Sequence, residues 1–305
     1  MTDNIILHEV GPRDGIQVEK KIVPTETKIQ WIQKLWESGI TTIQIGSFVR
    51  ADKVPSMGDT PELFQQLQAI KPDNVCLSAL VLNDKGVDRA LESNADMICI
   101  GVSASETHSL KNSGKSTSEA LARNIQSAKK AVEAGKKVQV SIQSAFGCGF
   151  EGPIDPEKVL NIAKEYINAG LYNISLADTA GHANPLQVEQ LYTKLQALDP
   201  KIQMACHFHN TYGLGLANCY AAWKAGVQSF ETSFAGLGGC PFTKVPSGNV
   251  CTEDFVHSFQ RMNYLTHIQL SSLIELANNI ATFFERELPG MIYRTGPIQP
   301  SASKS

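Results

Sequence analysis

Two histidines with one residue between them, His207 and His209, stand in the run Met-Ala-Cys-His-Phe-His-Asn-Thr. Side chains on a strand repeat every two residues, so both imidazoles face one side and Phe208 faces the other. Two imidazoles on one face make half of a metal shell. Asp14, in Gly-Pro-Arg-Asp-Gly, adds a carboxylate, and Asn249, in Ser-Gly-Asn-Val, adds a carboxamide oxygen. The four form a mixed nitrogen and oxygen set suited to Mg, Mn or a similar divalent cation, with positions left open for substrate. Arg13, next to Asp14, can present a fixed cation to an anionic oxygen. Cys240 lies in Gly-Leu-Gly-Gly-Cys-Pro, a glycine-rich stretch able to move, where a thiol can deliver or remove a proton in a closed site. Each feature also has a plainer reading: histidines hydrogen-bonded in a core, a surface ion pair in a turn, a small buried thiol, or a glycine run at 236–239 that cradles a phosphate.

Residues so far apart in the chain meet only where a fold gathers strand ends. Eight short runs rich in β-branched residues, at 5–10, 41–45, 75–81, 95–101, 137–142, 172–177, 202–208 and 228–234, alternate with amphipathic stretches such as 25–37, 117–134, 156–169 and 214–225. Several of these stretches end at a glycine: Gly39, Gly135, Gly170 and Gly226. Eight strand–helix units of even spacing predict one α/β domain over residues 1–290, a (β/α)8 TIM barrel with one or two additional C-terminal helices within 265–288. The tail, 291–305, is expected to be disordered. Active sites of such barrels sit at the C-terminal ends of the strands. There the sequence places Arg13, Asp14 and Gln17 after strand one, Gln44 on strand two, Gln139 and Ser141 on strand five, and Ser175, Asp178 and Thr179 on strand six. Asp178 joins Arg13 and Cys240 as a candidate catalytic group, and the other polar residues are candidates for the substrate pocket.

The chain has 305 residues, 42% hydrophobic and 19% charged, with a net charge of -3. Disorder, collagen and coiled coil are excluded, and nothing electrostatic favours nucleic acid or an anionic membrane. No run approaches the roughly 20 apolar residues of a membrane span, and the N-terminus has no signal-peptide pattern, so a cytoplasmic setting is expected. Seven scattered cysteines without a C-x-x-C pair read as free thiols.

Longer motifs carry a resemblance. Glu-Val-Gly-Pro-Arg-Asp-Gly-Ile-Gln-Val-Glu-Lys (9–20), Gly-Ser-Phe-Val (46–49), Val-Pro-Ser-Met-Gly-Asp (54–59), Ser-Leu-Ala-Asp-Thr (175–179), His-Phe-His-Asn-Thr-Tyr-Gly (207–213) and Gly-Leu-Gly-Gly-Cys-Pro-Phe with Ser-Gly-Asn-Val (236–250) resemble the 3-hydroxy-3-methylglutaryl-CoA lyase family. Those are metal-dependent barrel lyases related to Claisen-type synthases. The resemblance runs from about residue 5 to 290. It implies Asp14, His207, His209 and Asn249 as metal ligands, Arg13 as the stabiliser of a thioester enolate, and Cys240 as the proton carrier of a mobile loop. The implied reaction is retro-Claisen cleavage of a 3-hydroxyacyl-CoA to a ketone and a short acyl-CoA, which for 3-hydroxy-3-methylglutaryl-CoA are acetoacetate and acetyl-CoA. An acyl-CoA substrate and a homodimer are expected. Several positions depart from the family. Gln44 stands where an acidic residue holds the arginine, Gln139 and Ser141 where an Arg and a Tyr face the site, and Val18 where an Asn follows the Arg-Asp turn.

A Claisen synthase working in the condensing direction would share the metal shell, but those enzymes usually carry a further C-terminal domain for which this chain leaves no length. A non-catalytic binding protein descended from a lyase is the rival outside enzymes. A Schiff-base aldolase is disfavoured, because Lys136 and Lys137 fall at the N-terminal end of strand five.

Overall fold

The computed structural model describes residues 5–239 and 248–298. Eight parallel strands close into a barrel in sequence order: β1 (Ile6–Glu9), β2 (Thr42–Ser47), β3 (Cys76–Leu80), β4 (Met97–Ser103), β5 (Lys137–Gln143), β6 (Asn173–Asp178), β7 (Gln203–Phe208) and β8 (Ser229–Thr232). Helices separate them: α1 (Thr25–Glu37), α2 (Thr60–Gln68), α3 (Asp84–Glu92), α4 (Glu106–Ser113), α5 (Thr117–Glu133), α6 (Pro156–Asn168), α7 (Pro185–Gln196) and α8 (Gly215–Lys224). After β8 come α9 (Thr252–Gln260), α10 (Leu270–Phe284) and the short α11 (Ile292–Thr295). The expected (β/α)8 barrel with extra C-terminal helices is the observed fold.

Strand alternation divides the side chains. On β5, Val140 and Ile142 are buried under the helices while Gln139, Ser141 and Gln143 line the central cavity. On β7, Cys206 and Phe208 point outward into the apolar shell and His207 points inward. Gly39, Gly135, Gly170 and Gly226 all have positive φ, between 76° and 102°. That is the left-handed turn expected of a residue that stops a helix before the next strand.

Two boundaries differ from expectation. The strand foreseen over 228–234 stops at Thr232, because Ala235 takes φ 54° with its N–H held by the Glu253 carboxylate at 3.0 Å. Residues 291–298 are corrected from tail to structure. The Met291 and Ile292 N–H groups bond the Asp254 carboxylate at 3.0 and 2.8 Å, and buried Tyr293 accepts a bond from Leu288 N–H at 2.7 Å. The C-terminal helices pack on the barrel through Trp31 of α1, whose ring meets Phe283 and Phe234 edge-on at centroid distances of 5.5 and 5.8 Å. Among the described residues, no helix is long and apolar enough to cross a membrane.

Candidate active site

β1 ends in a single turn of π-helix, Gly11–Gly15, in which the N–H groups of Arg13, Asp14 and Gly15 all converge on the Val10 carbonyl at 3.1, 2.7 and 3.3 Å. Glu9 anchors the turn from below. Its carboxylate accepts from Gly11 N–H at 2.7 Å, from Phe234 N–H at 2.9 Å and from the Thr252 hydroxyl at 2.6 Å, tying the end of β1 to the chain beyond β8. So held, Arg13 donates from Nε to Gln44 Oε1 and from a terminal nitrogen to Asp14 Oδ1.

The second half of the site comes from β7 and the segment returning at 248–252. His209 bridges to Asn249, with Asn210 N–H bonding Gly248 O at 3.0 Å and Val250 N–H bonding Phe208 O at 3.1 Å. Gly248 is required there, because a Cβ at that position would lie 2.0 Å from the Gly236 carbonyl oxygen. The bridge brings Asn249 beside Asp14, and its Nδ2 donates to Asp14 Oδ2 at 2.9 Å and to Leu237 O at 3.1 Å.

The donor atoms of Asp14, His207 and His209 lie within 4.8 Å of one another. His207 Nε2 is 3.0 Å from His209 Nε2 and 3.9 Å from Asp14 Oδ2. Two imidazole nitrogens at that distance repel if both carry lone pairs, so a proton or a cation belongs between them. Asn249 Oδ1 is buried with no hydrogen-bond partner among the described residues. An orphaned carboxamide oxygen, two facing imidazoles and a carboxylate are donor types that suit a divalent cation.

Charge is tightly arranged around this point. Burial works to raise Asp14, but Arg13, His207, His209 and the Asn249 bond outweigh it and bring the carboxyl down to about 2. Burial, reinforced by the neighbouring His207, lowers His209 to about 4, which leaves a neutral donor ring. Burial would depress His207 as well, yet the Glu231 hydrogen bond and charge raise it.

Arg13, Asp14, Gln17, Gln44, Gln139, Ser141, Ser175, Thr179, His207 and His209 all line one cavity of about 300 Å³ at the C-terminal mouth of the barrel. Asp178 does not line it and is withdrawn as a catalytic group. Its carboxylate points the other way and accepts from His182 N–H at 2.8 Å and Ala183 N–H at 3.1 Å, closing the loop after β6, and burial raises it to about 6. Cys240 lies outside the described residues.

Sequence reasoning missed four neighbours of the site. Glu231, on β8, lines the cavity, as do Cys99 and, from α4, His108. His8 lies deeper in the barrel, paired with Ser78 Oγ at 2.7 Å, and burial lowers it to about 4. His8 and Glu231 carried a usable signal, each being an ionisable residue inside an otherwise buried strand. For α4 the signal was Ser105, which caps the helix by accepting from His108 N–H at 3.1 Å, with Gly114 closing it at φ 69°.

Comparison with known proteins agrees with the fold. The HMGL-like family model matches residues 4–280. The hydroxymethylglutaryl-CoA lyase YngG of Bacillus subtilis is 38% identical over 285 residues, 93% of this chain and 95% of that protein. The (R)-citramalyl-CoA lyase of Chloroflexus aurantiacus is 33% identical over 304 residues, 97% of this chain and 96% of that one. Among solved structures, an HMG-CoA lyase from Acinetobacter baumannii in complex with coenzyme A and 3-methylmalate superposes with a TM-score of 0.91 at 34% identity, covering 98% of this chain and 99% of that one. With family model, relatives and barrel in agreement, the chain belongs to the HMGL-like family and is an enzyme of the carbon–carbon lyase class.

Proposed function

We propose that the chain cleaves a 3-hydroxyacyl-CoA by a metal-assisted retro-Claisen reaction, giving a carbonyl product and a shorter acyl-CoA. The observation that carries this reading is the meeting of Arg13, Asp14, His207 and His209 in one cavity, with Asn249 bonded to Asp14 at 2.9 Å. These four residues would hold the cation, Mg or Mn by its donor types, and the ion supplies a Lewis acid that makes the substrate hydroxyl acidic. The base that takes the hydroxyl proton is left unassigned, because Asp14 and His207 are committed to the cation. As the hydroxyl proton leaves, its electron pair forms the new C=O. The C2–C3 bond breaks, and that pair moves onto the thioester as an enolate.

Arg13 uses two of its five N–H donors on Gln44 and Asp14, so three remain for the enolate oxygen. Cys240 is assigned the protonation of the enolate carbon on the strength of the family motif. An adjoining cavity of about 220 Å³, sharing Leu82, Asn112 and Gln143 with the site, is lined by Lys115 and Arg123, cations suited to the phosphates of a CoA carrier.

The acyl group is the finer question. Arg13 is the only Lys or Arg among the described residues that line the main cavity. Gln44, Gln139 and Ser141 offer neutral hydrogen bonds where the resembling lyases have charge or a phenol. A second carboxylate placed as in 3-hydroxy-3-methylglutaryl-CoA would meet no cation there, so the preferred substrate lacks that carboxylate or carries it elsewhere. The citramalyl-CoA activity named for one relative supports a shifted acyl group.

The test is a panel of 3-hydroxy-3-methylglutaryl-CoA, citramalyl-CoA and uncharged 3-hydroxyacyl-CoA esters, with Mg or Mn, using wild type and Gln44→Glu. Wild type should turn over 3-hydroxy-3-methylglutaryl-CoA below the best substrate, and Gln44→Glu should improve it. A wild type that prefers 3-hydroxy-3-methylglutaryl-CoA and gains nothing from Gln44→Glu would show the pocket is not retuned. Cleavage of none of the esters would end the lyase reading itself.

A further inference from the structure

The two histidines of the donor set are not supported alike. His209 Nδ1 is buried and has no hydrogen-bond partner among the described residues. His207 Nδ1 lies 3.0 Å from Glu231 Oε2, and Glu231 Oε1 accepts from Ser175 Oγ at 3.0 Å. The three residues sit side by side in the barrel wall. His207 pairs in register with Glu231 on β8 and with Ala177 on β6, two residues beyond Ser175, and all three side chains point inward. Glu231 is 8% exposed and is the only carboxylate besides Asp14 among the described residues of the cavity wall. Its position suits neither direct ligation nor the closing of a loop. One oxygen is spent on Ser175 and the other on the far nitrogen of His207, the one turned away from His209 and Asp14.

We infer that Glu231 is a positioning residue for the metal site: it keeps the proton of His207 on Nδ1 and so reserves the Nε2 lone pair for the cation. An ionised carboxylate has only acceptors, so it tolerates one tautomer of the ring facing it. Carboxylate–histidine pairs of this kind also raise the donor strength of the ring and fix its orientation. Ser175 orients the carboxylate in turn. The inference rests on His207 being a metal ligand, and it adds that the ligand's competence is set from a third strand.

Glu231→Gln is the informative variant. It keeps the shape, but a carboxamide can accept from Nδ1–H or donate to a bare Nδ1, so it no longer discriminates between tautomers. The probe is Mn²⁺ alone, added to the full chain stripped of metal, with free Mn²⁺ read by electron paramagnetic resonance. The tautomer of His207 is read from its ring ¹⁵N shifts in the metal-free chain.

Glu231→Gln should weaken Mn²⁺ binding by about 10- to 100-fold, the range usual for loss of such a partner. It should also move His207 from the Nδ1–H form to a mixture, with little change in metal-free Tm. Ser175→Ala, which leaves the carboxylate in place, should weaken binding measurably but less than Glu231→Gln, and it tests the role of Glu231 if Glu231→Gln folds poorly. Unchanged Mn²⁺ affinity in both variants, with wild-type binding intact, would overturn the role of Glu231 alone. A wild type that binds no Mn²⁺ would overturn the metal reading beneath it as well.

Discussion

Lys28 is nearly inaccessible, at 1% exposure, and its ammonium donates to Ser56 O at 2.6 Å and to both Asp59 oxygens at 2.7 and 2.9 Å. All three donors are satisfied, and together they fasten α1 to the Val-Pro-Ser-Met-Gly-Asp segment before α2. That segment also faces the site. Val54 and Gln17 line the cavity, and Ser56 Oγ donates to the Gln17 carbonyl at 3.1 Å. Among the described residues, Lys28→Met keeps most of the side-chain volume but leaves Asp59 with only the Thr25 hydroxyl, at 3.1 Å, and removes the lysine donor from the Ser56 carbonyl. Removing one partner of a buried pair costs about 3–5 kcal/mol, and the 18% exposure of Asp59 argues for the lower end, about 3 kcal/mol. A chain of this length has an unfolding entropy of roughly 0.6 kcal/mol/K, so Tm should fall by about 5 °C. In denaturant melts, Lys28→Met with Asp59→Asn should lose at least 1 kcal/mol less than the sum of the single losses, because the charges leave together. Turnover assays should show KM raised with kcat nearly kept, the loss falling on the cavity wall and not on the donor set. A Tm within about 1 °C of wild type, or single losses that simply add, would refute the claim that this buried pair holds the wall.

Burial raises Glu253 to about 8 and Glu9 to about 7, from an ordinary value of 4.5. Both folded values exceed the unfolded one, so the stability they contribute is complete below about pH 4.5 and is lost as the pH rises through 7 and 8. Metal-free Tm should therefore fall from pH 6.5 to 8, and Glu253→Gln should flatten that slope; an equally steep slope in the variant would mean that Glu253 is ionised in the fold. Cys240→Ala should leave Tm within about 1 °C while slowing cleavage by roughly a hundredfold, the usual scale for a proton-transfer group. A large stability loss with activity retained would assign the thiol to packing.

How far the sequence could be read depended on whether a property is local. Strand and helix existence came from runs of about six or thirteen residues whose periodicity is self-contained, and α1 was foreseen to the residue. The donor set was also accessible. His207 and His209 are two apart, Asp14 sits where a strand gives way to a glycine-flanked turn, and Asn249 follows a glycine in the loop after strand eight. What escaped depends on partners far along the chain. The end of β8 is set by Glu253 reaching Ala235, and residues 291–298 are held by Asp254 and by the buried ring of Tyr293. Ala235 and Glu253 are 18 residues apart and Ile292 and Asp254 are 38 apart, beyond the reach of a periodicity window.

Asp178 and Glu231 show where a stricter reading would have gone further. Both are acidic residues near a strand end, and the sequence ranked the first and passed over the second. On β6 and at the residue just past it the inward positions are Ser175, Ala177 and Thr179, so the period of two that put His207 and His209 on one face places Asp178 on the other. Carried across the barrel by register, Ala177 beside His207 and His207 beside Glu231, the same period points Glu231 inward, against the ring it orients. In a barrel the chemistry of a strand-end residue is therefore decided first by parity and only then by its side chain. An acid on the outward parity of a strand that closes into a turn finds backbone N–H groups, as Asp178 does at His182 and Ala183, and an acid on the inward parity finds the donor set.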